Sequence, residues 1–416
     1  MRVLIVTSGS TGDVAPYTGL GARLRDAGHE VAIATHEEFR GMVELPFVAL
    51  PGDMRQVLPQ ARGQDGTGRG TGPRALLRLM RIARPLVAEL GAGIADAVRQ
   101  TRAEAVLLST VVAPLGYQVA EAATIPWAGV FLQPVFPTGD FGPVLVGGRS
   151  LGRTGNRLTG RFLERAAHPL YAGPVRDLRR RLGLPSRGMA ALQQAQRHRW
   201  PTFHGFSPSV VPRPADWPAS QEVVGYWWPE RPAGWTPPAE VERFLAAGPA
   251  PVFVGFGSMA AGHGERLAAP VLAAVRAAGV RAVVQAGWSG LRVADGPDVL
   301  SVGSLPHDWL FPRMAAVVHH CGAGTTAAGL RAGVPAVGVP VLADQPFWAR
   351  RLHALGVAPA PVPLPKLRPD RLAGALRSVT TDPRYAARAA AVAGRLATED
   401  GSARILRWLE RPRPPS

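Results

Sequence analysis

His319-His320-Cys321-Gly322-Ala323-Gly324-Thr325-Thr326 lies between an apolar run, Ala315-Ala316-Val317-Val318, and the stretch Ala327-Ala328-Gly329-Leu330-Arg331-Ala332. The run reads as a buried parallel strand and the stretch as a helix. Strand, small-residue turn and helix together make a cradle for phosphate. Glycines let backbone N–H groups close on an anion, and the helix N-terminus adds unpaired donors and partial positive charge. His320 stands at the mouth of the turn as a further donor. A second apolar strand, Ala336-Val337-Gly338-Val339-Pro340, is followed by Asp344-Gln345-Pro346. A carboxylate and an amide thus fall at the C-terminal end of the adjacent strand, where open α/β sheets bind ligands.

Two α/β halves surround this stretch. The first opens with a strand at Arg2–Thr7, the loop Ser8–Gly12 and a helix to about Ala27, where Leu20 and Leu24 share one face. Val31–Ala34, Val106–Leu108 and Trp127–Val130 read as further strands of the same sheet. Arg74 to Arg102 reads as helical, interrupted near Pro85. Pro59 to Pro73 holds five glycines and no bulky apolar residue, and reads as a loop that orders over an acceptor or is a plain surface insertion. Pro208–Pro218 reads as a linker. Val252–Phe256 and Val283-Val284 are strands of the second half, with Leu267, Val271, Leu272 and Val275 as a helical stripe between them. The expected division is an N-terminal domain over 1–215, a C-terminal domain over 216–400, and a terminal helix (Ser402 to Leu409) and tail over 401–416.

Composition narrows the class. The chain has 416 residues, 46% of them hydrophobic, enough for two cores. No apolar stretch is long enough to span a bilayer, and the run Val3–Val6 is too short for a signal-peptide core. Cys321 is the single cysteine, so no disulfide forms within the chain, and a cytoplasmic location is the simplest expectation. The net charge of +17 comes almost wholly from arginine; Lys366 is the one lysine. The densest cluster, Arg176-Asp177-Leu178-Arg179-Arg180-Arg181, lacks interleaved aromatics and matches no nucleic-acid module. It reads as a solvated face, with weak attraction to a membrane surface as the alternative; no nucleic-acid partner is expected. Gly9-Ser10-Thr11-Gly12 lacks the three-glycine spacing of a dinucleotide oxidoreductase.

Asp13 follows the first glycine turn. Its type and place fit a helix cap, and equally a base for an acceptor hydroxyl. Ser10 and Thr11 fit turn chemistry or contacts to a phosphate or hydroxyl. His319 points to the face opposite His320 if both are extended, and reads as structural. Cys321 reads as a packing residue. Asp344 and Gln345 can hold hydroxyls, or can simply be the polar start of the helix before Phe347-Trp348.

His320-Cys321-Gly322-Ala323-Gly324-Thr325, Gly333-Val334-Pro335 and Asp344-Gln345 resemble the donor-binding signature of two-domain, UDP-glycosyltransferase-type enzymes, in particular the sterol glucosyltransferase-like branch and its bacterial natural-product relatives. Four more segments fit that branch in order: Gly9-Ser10-Thr11-Gly12-Asp13-Val14, Phe131-Leu132-Gln133-Pro134 leading to Phe136-Pro137-Thr138, Gly255-Phe256-Gly257-Ser258-Met259, and Pro306-His307-Asp308-Trp309-Leu310-Phe311-Pro312. The resemblance implies a GT-B fold, with two facing Rossmann-like domains and a cleft between them. It implies a hexosyltransferase that uses a UDP- or TDP-sugar, with glucose expected, and inverts configuration at a hydroxyl of a hydrophobic acceptor. Asp13 would be the base. Ser10, Thr11, Ser258, His320, Gly322, Gly324, Thr325 and Thr326 would hold the diphosphate, the last four through backbone N–H groups and a hydroxyl. Leu305 would bind the base through its main chain. Many relatives place Trp before that position where this chain has Ser304; Trp288 is then the candidate for stacking, though a plain core or surface role fits it equally. Asp344 and Gln345 would bind the sugar. Relatives of plant type carry an acidic residue where Ala328 stands, which leaves uridine and deoxythymidine donors both open. No Asp-x-Asp triplet is present, so neither metal nor cofactor is expected; the nucleotide sugar is a substrate. Trp127, Phe131, Phe136 and Phe141 are the expected acceptor-binding set, with a core role as their alternative. The rival readings are a nucleotide-sugar epimerase of similar fold and a non-catalytic partner of another transferase.

Overall fold

The computed structural model describes residues 1–52, 73–257, 264–286 and 290–411. Ser258, Trp288, nearly all of the loop read over Pro59–Pro73, and the last five residues of the tail lie outside them. Two wholly parallel sheets organise the rest. The first has the order β3-β2-β1-β4-β5-β6-β7, from β1 (Arg2–Val6), β2 (Glu30–His36), β3 (Phe47–Leu50), β4 (Ala105–Leu108), β5 (Trp127–Phe131), β6 (Thr202–His204) and β7 (Gln221–Val223). The second has the order β10-β9-β8-β11-β12, from β8 (Val252–Gly255), β9 (Ala282–Gln285), β10 (Val299–Val302), β11 (Ala316–His319) and β12 (Ala336–Gly338). Both are doubly wound Rossmann-like sheets, so the α/β reading with two such domains holds. Strands β1, β4, β8 and β11 are continuous apolar runs because helices cover both of their faces.

Three readings need correction. Strand β7 pairs with β6 through Thr202↔Gln221 to His204↔Val223. The first sheet therefore runs past the expected 215/216 division, and Pro208–Pro218 is a connection inside the first domain. The helix Pro73–Thr101 continues through Pro85 without a break. One lost backbone hydrogen bond is tolerated there because Leu90, Ile94 and Ala97 are fully buried on the sheet. Strands β3, β6, β7 and β10, at three or four residues each, are too short for alternation to announce them.

The domains are packed, not merely tethered. One apolar cluster joins Val6, Phe131 and Phe206 of the first to Phe347, Trp348 and Leu352 of the second. The terminal helix Ala403–Leu409 returns to the first domain, where Ile405 and Leu409 share a buried cluster with Val3, Leu20 and Leu24. Trp227 Nε1 donates to the Gly401 carbonyl at 2.9 Å, and Arg404 pairs with Glu222 at 3.0 Å. Ile405→Ala is expected to lower the unfolding free energy by about 2–5 kcal/mol, the usual cost of truncating a buried branched residue. Urea denaturation measures this; a loss below about 1 kcal/mol would mean that the helix does not brace the first domain.

Candidate active site

Loops after β1, β5, β11 and β12 meet between the domains, all at the carboxyl ends of their strands. Asp13 lies in the first turn of the helix Thr11–Asp26. Its Oδ2 accepts the Ser10 N–H and the Ser10 hydroxyl, both at 2.9 Å, so Asp13 does cap its own helix. The other oxygen, Oδ1, has a long contact of 3.4 Å from Gln133 Nε2, just past β5. The same carboxylate thus fixes the turn through one oxygen and keeps acceptor capacity on the other. Gly9, at φ +149°, is needed for this: a Cβ there would stand 2.6 Å from Asp13 Oδ2. Thr11 is exposed at the helix start.

The helix Ala323–Ala332 points its N-terminus at that of Thr11–Asp26: a Cβ added at Gly324 would lie 3.9 Å from the Gly12 carbonyl oxygen. Two positive helix ends therefore converge, which is an arrangement for an anion. The N–H of Thr326 is already donated to the Gly322 carbonyl at 2.9 Å. This removes it from the expected backbone donors and leaves the earlier N–H groups of the turn, from Gly322 to Thr325. Cys321 has φ +63°, a conformation rare for a side-chain-bearing residue, and its buried sulfur packs against Gly338. The ring of His320 fits between Gly257 and Gly322; a Cβ at either would approach it to 2.7 or 2.6 Å. Burial, with His307 nearby, pushes its pKa down to about 4, so at neutral pH it carries no charge and donates one N–H. Its Nδ1 and the Thr326 hydroxyl are buried without a hydrogen-bond partner among the described residues. His319 is fully buried and its Nδ1 accepts the Cys321 N–H at 3.1 Å, in line with its structural reading.

Asp344 holds the N-cap position of the helix Gln345–Ala354 without a side-chain capping bond, at the end of a loop in which Ala343 adopts φ +56°. Its Oδ2 accepts Trp348 Nε1 at 2.8 Å, a partner legible as an i, i+4 helical pair. Burial, and then the charge of Asp13, raise the Asp344 pKa to about 6. The charge of Asp13 therefore reaches Asp344 from the other domain. Gln345 is turned inward: its Oε1 accepts the N–H groups of Val341 and Leu342 at 2.8 and 3.3 Å. Its carbonyl therefore shapes the loop instead of facing the cleft. Leu305 is buried in the shared core.

The aromatic set divides. Trp127 is the first residue of β5, at the amino end of a parallel strand, and packs edge-on at 4.2 Å against Trp200. That places it at the end of the sheet opposite the cleft. Phe131 and Phe136 stack at 5.8 Å and are buried with His204 and Trp217 as core. All three thus take up the core role that was their alternative reading. Phe141 alone stays at the domain boundary, 5.3 Å from Phe347. The large apolar residues left exposed near the cleft are aliphatic: Val111 after β4, Leu145 and Val146 before Gly147, which touches Pro346, and Leu342 on the Asp344 loop. Sequence reading favoured aromatics and passed over them. Gln133 was legible as a polar residue just beyond a strand's carboxyl end.

Comparison with known proteins gives a consistent picture. Residues 3–138 match the glycosyltransferase family 28 N-terminal domain, and residues 274–410 match the erythromycin biosynthesis protein CIII-like C-terminal domain. The chain is 39% identical to O-mycaminosyltylonolide 6-deoxyallosyltransferase of Streptomyces fradiae, over 99% of this chain and 98% of that one. It is 33% identical to a sterol 3-beta-glucosyltransferase of Arabidopsis thaliana over 97% of its own length, spanning 64% of that protein. Among solved structures, a Streptomyces sp. SF2575 glycosyltransferase complexed with thymidine diphosphate superposes with a TM-score of 0.65 at 24% identity over 99% of each chain. The kitacinnamycin glycosyltransferase superposes at 0.72 with 18% identity over 99% of this chain and 98% of that one.

The raised Asp344 pKa has a consequence for stability. A carboxyl that binds its proton more tightly folded than unfolded loses stabilisation as pH rises from about 4 through about 6. Asp344→Asn removes that loss. The variant is expected to be more stable than the parent above pH 6 by on the order of 1–3 kcal/mol, with the advantage vanishing towards pH 4. Denaturant midpoints at pH 4.5 and 8 measure it; an equal difference at both pH values would refute the assignment.

Proposed function

The chain belongs to the GT-B glycosyltransferases of the UDP-glycosyltransferase type, family 1, and from that premise we propose that it moves a hexose from a UDP- or TDP-sugar to a hydroxyl of a hydrophobic acceptor. A sterol, steroid or polyketide aglycone fits that description. The reading rests on one arrangement: the Asp13 carboxylate, the N-terminus of the helix Ala323–Ala332 and Asp344 meet in one cleft.

In this mechanism Oδ1 of Asp13 takes the proton of the acceptor hydroxyl. The hydroxyl oxygen attacks the anomeric carbon as the bond from that carbon to the diphosphate oxygen breaks. The nucleoside diphosphate leaves with the electron pair, and one displacement inverts the configuration. Charge developing on the diphosphate falls on the N–H groups of Gly322, Gly324 and Thr325, on the convergent helix ends and on the single N–H of His320. The mechanism assigns this work to protein groups and needs no divalent cation. Asp344 accepts hydrogen bonds from sugar hydroxyls. Ser10 holds Asp13 in place, and Thr11 reaches the cleft. An acceptor with a large apolar body gains roughly 25 cal/mol per Å² buried against Val111, Leu145, Val146, Leu342 and Phe141.

For the sugar, glucose is the first expectation. A 6-deoxyhexose is the second, favoured by the inward turn of Gln345, which leaves fewer polar groups at the sugar, and by the name of the Streptomyces fradiae relative. An epimerase or a non-catalytic partner is disfavoured by family membership.

Asp13→Asn is expected to lower turnover by about 10²–10⁴-fold while calorimetric affinity for UDP or TDP stays close to that of the parent. Near-native turnover would reduce Asp13 to a cap, and lost nucleotide affinity in a folded variant would also overturn the role. Mass spectrometry of a donor-by-acceptor panel tests the substrates. Sterols and polyketide aglycones are expected to be glycosylated, several of them, because an apolar pocket discriminates weakly among similar skeletons. Transfer to simple sugars or peptides alone would sink the hydrophobic-acceptor reading.

A further inference from the structure

The helix Gly152–Ala166 turns its apolar stripe outward. Leu158 and Phe162 are four residues apart on one face of the helix, and Leu151 precedes it as the N-cap residue. They are 61%, 67% and 61% exposed for Leu158, Phe162 and Leu151. The inward face is small and polar. Gly160 packs on Pro137, and Asn156 is buried, donating to the Gly139 carbonyl at 3.0 Å and accepting the Leu151 N–H at 2.7 Å. The helix cannot roll its leucines inward without breaking those bonds.

Arginines stand at 153, 157, 161 and 165, one per turn. Arg153 pairs with Asp140 at 3.0 Å and Arg157 with Asp216 at 2.7 Å. Arg161 and Arg165 flank the apolar stripe, are exposed, and have no ion pair among the described residues. The one acid of the helix, Glu164, is engaged by Arg197. The face is therefore an apolar ridge with an uncompensated cationic margin, on a chain of net charge +17.

We propose that this face docks the protein on an anionic lipid surface. Leu151, Leu158 and Phe162 would enter the headgroup–acyl boundary, with Arg161 and Arg165 on the lipid phosphates. Charge complementarity selects this occupant: a ridge of protruding side chains, beside guanidinium groups that have no ion pair among the described residues, suits a deformable anionic layer. The helix is bonded through Asn156 to the segment around Gly139 and Ser150, and the same segment reaches the second domain, where Gly147 meets Pro346 beside Asp344. A docked protein would hold its cleft mouth close to the bilayer, where a hydrophobic acceptor is concentrated. That last consequence alone rests on the proposed acceptor; the docking does not.

The test is co-sedimentation of the full chain with vesicles. Binding is expected to phosphatidylglycerol–phosphatidylcholine vesicles and not to pure phosphatidylcholine, and to fade as salt approaches about 1 M. Leu158→Ser/Phe162→Ser and, separately, Arg161→Gln/Arg165→Gln should each lower vesicle partitioning roughly tenfold or more. Both should keep the parent's thermal stability and its turnover of a soluble acceptor without lipid. Arg176→Gln/Arg181→Gln, on the separate helix His168–Arg181, should leave binding unchanged. Undiminished binding by the first two variants, or release by the third, overturns the proposal. So does a raised KM for a soluble acceptor in Leu158→Ser/Phe162→Ser, which would make the stripe an acceptor wall. A parent that binds no vesicles but dimerises, with the same variant monomeric, would make it an interface between copies.

Discussion

Two helix N-termini meet across the cleft, those of Thr11–Asp26 and Ala323–Ala332, and the rest of the site is arranged around that meeting. Parallel strands deliver helices whose positive ends all lie on the carboxyl side of the sheet. Two such sheets placed face to face bring positive ends together, which is unfavourable until negative charge stands between them. Asp13 and Asp344 supply part of that charge from the protein, and an anionic ligand is the natural remainder. The glycine at 322 matters because a Cβ there would stand 2.6 Å from the His320 ring beside the turn.

The same convergence sets the two carboxylates against one another. Burial first, and the charge of Asp13 second, raise the Asp344 pKa, and the backbone of this site takes positive φ at Ala343 and Cys321. These features persist because their surroundings leave no alternative. Trp348 donates to Asp344, and Gln345 ties down the loop backbone. The apolar cluster shared by Phe131, Phe206 and Trp348 holds the domains in register. The geometry of the candidate site is thus maintained by packing well away from Asp13 and the helix ends.

Legibility followed the strength of local constraint. The Gly9–Asp13 and His320–Thr326 turns could be read because close backbone approach admits few residue types. The continuously apolar strands, such as β1 and β11, declared themselves by composition and by the turn that follows each. Strands β6, β7 and β10 did not, since three or four residues carry no period and their pairing is decided by distant chain. Pro85 misled because propensity was read without the packing that outweighs it. Gln345 was legible as polar and near the site. Its direction was not, because the loop N–H groups that capture it are a property of the folded turn. His320 was legible as a donor, but its neutrality depends on burial between Gly257 and Gly322 that only the folded domain creates.

The acceptor side was the least legible for a physical reason. Binding an apolar skeleton requires exposed apolar area on the right face, and almost any apolar residue supplies it. Aromatics attract attention in a sequence because they are large, yet large residues are also the ones a core recruits, as with Phe131 and Phe136. Val111, the pair Leu145-Val146 and Leu342 come from three separate loops, and only the fold leaves them uncovered together. Donor recognition and acceptor recognition are therefore under different constraints in one chain. The first is pinned to backbone geometry and tolerates little change. On the proposed function the second would rest on loops that can exchange one apolar residue for another without disturbing the turns, which would make acceptor choice the property most free to vary on this scaffold.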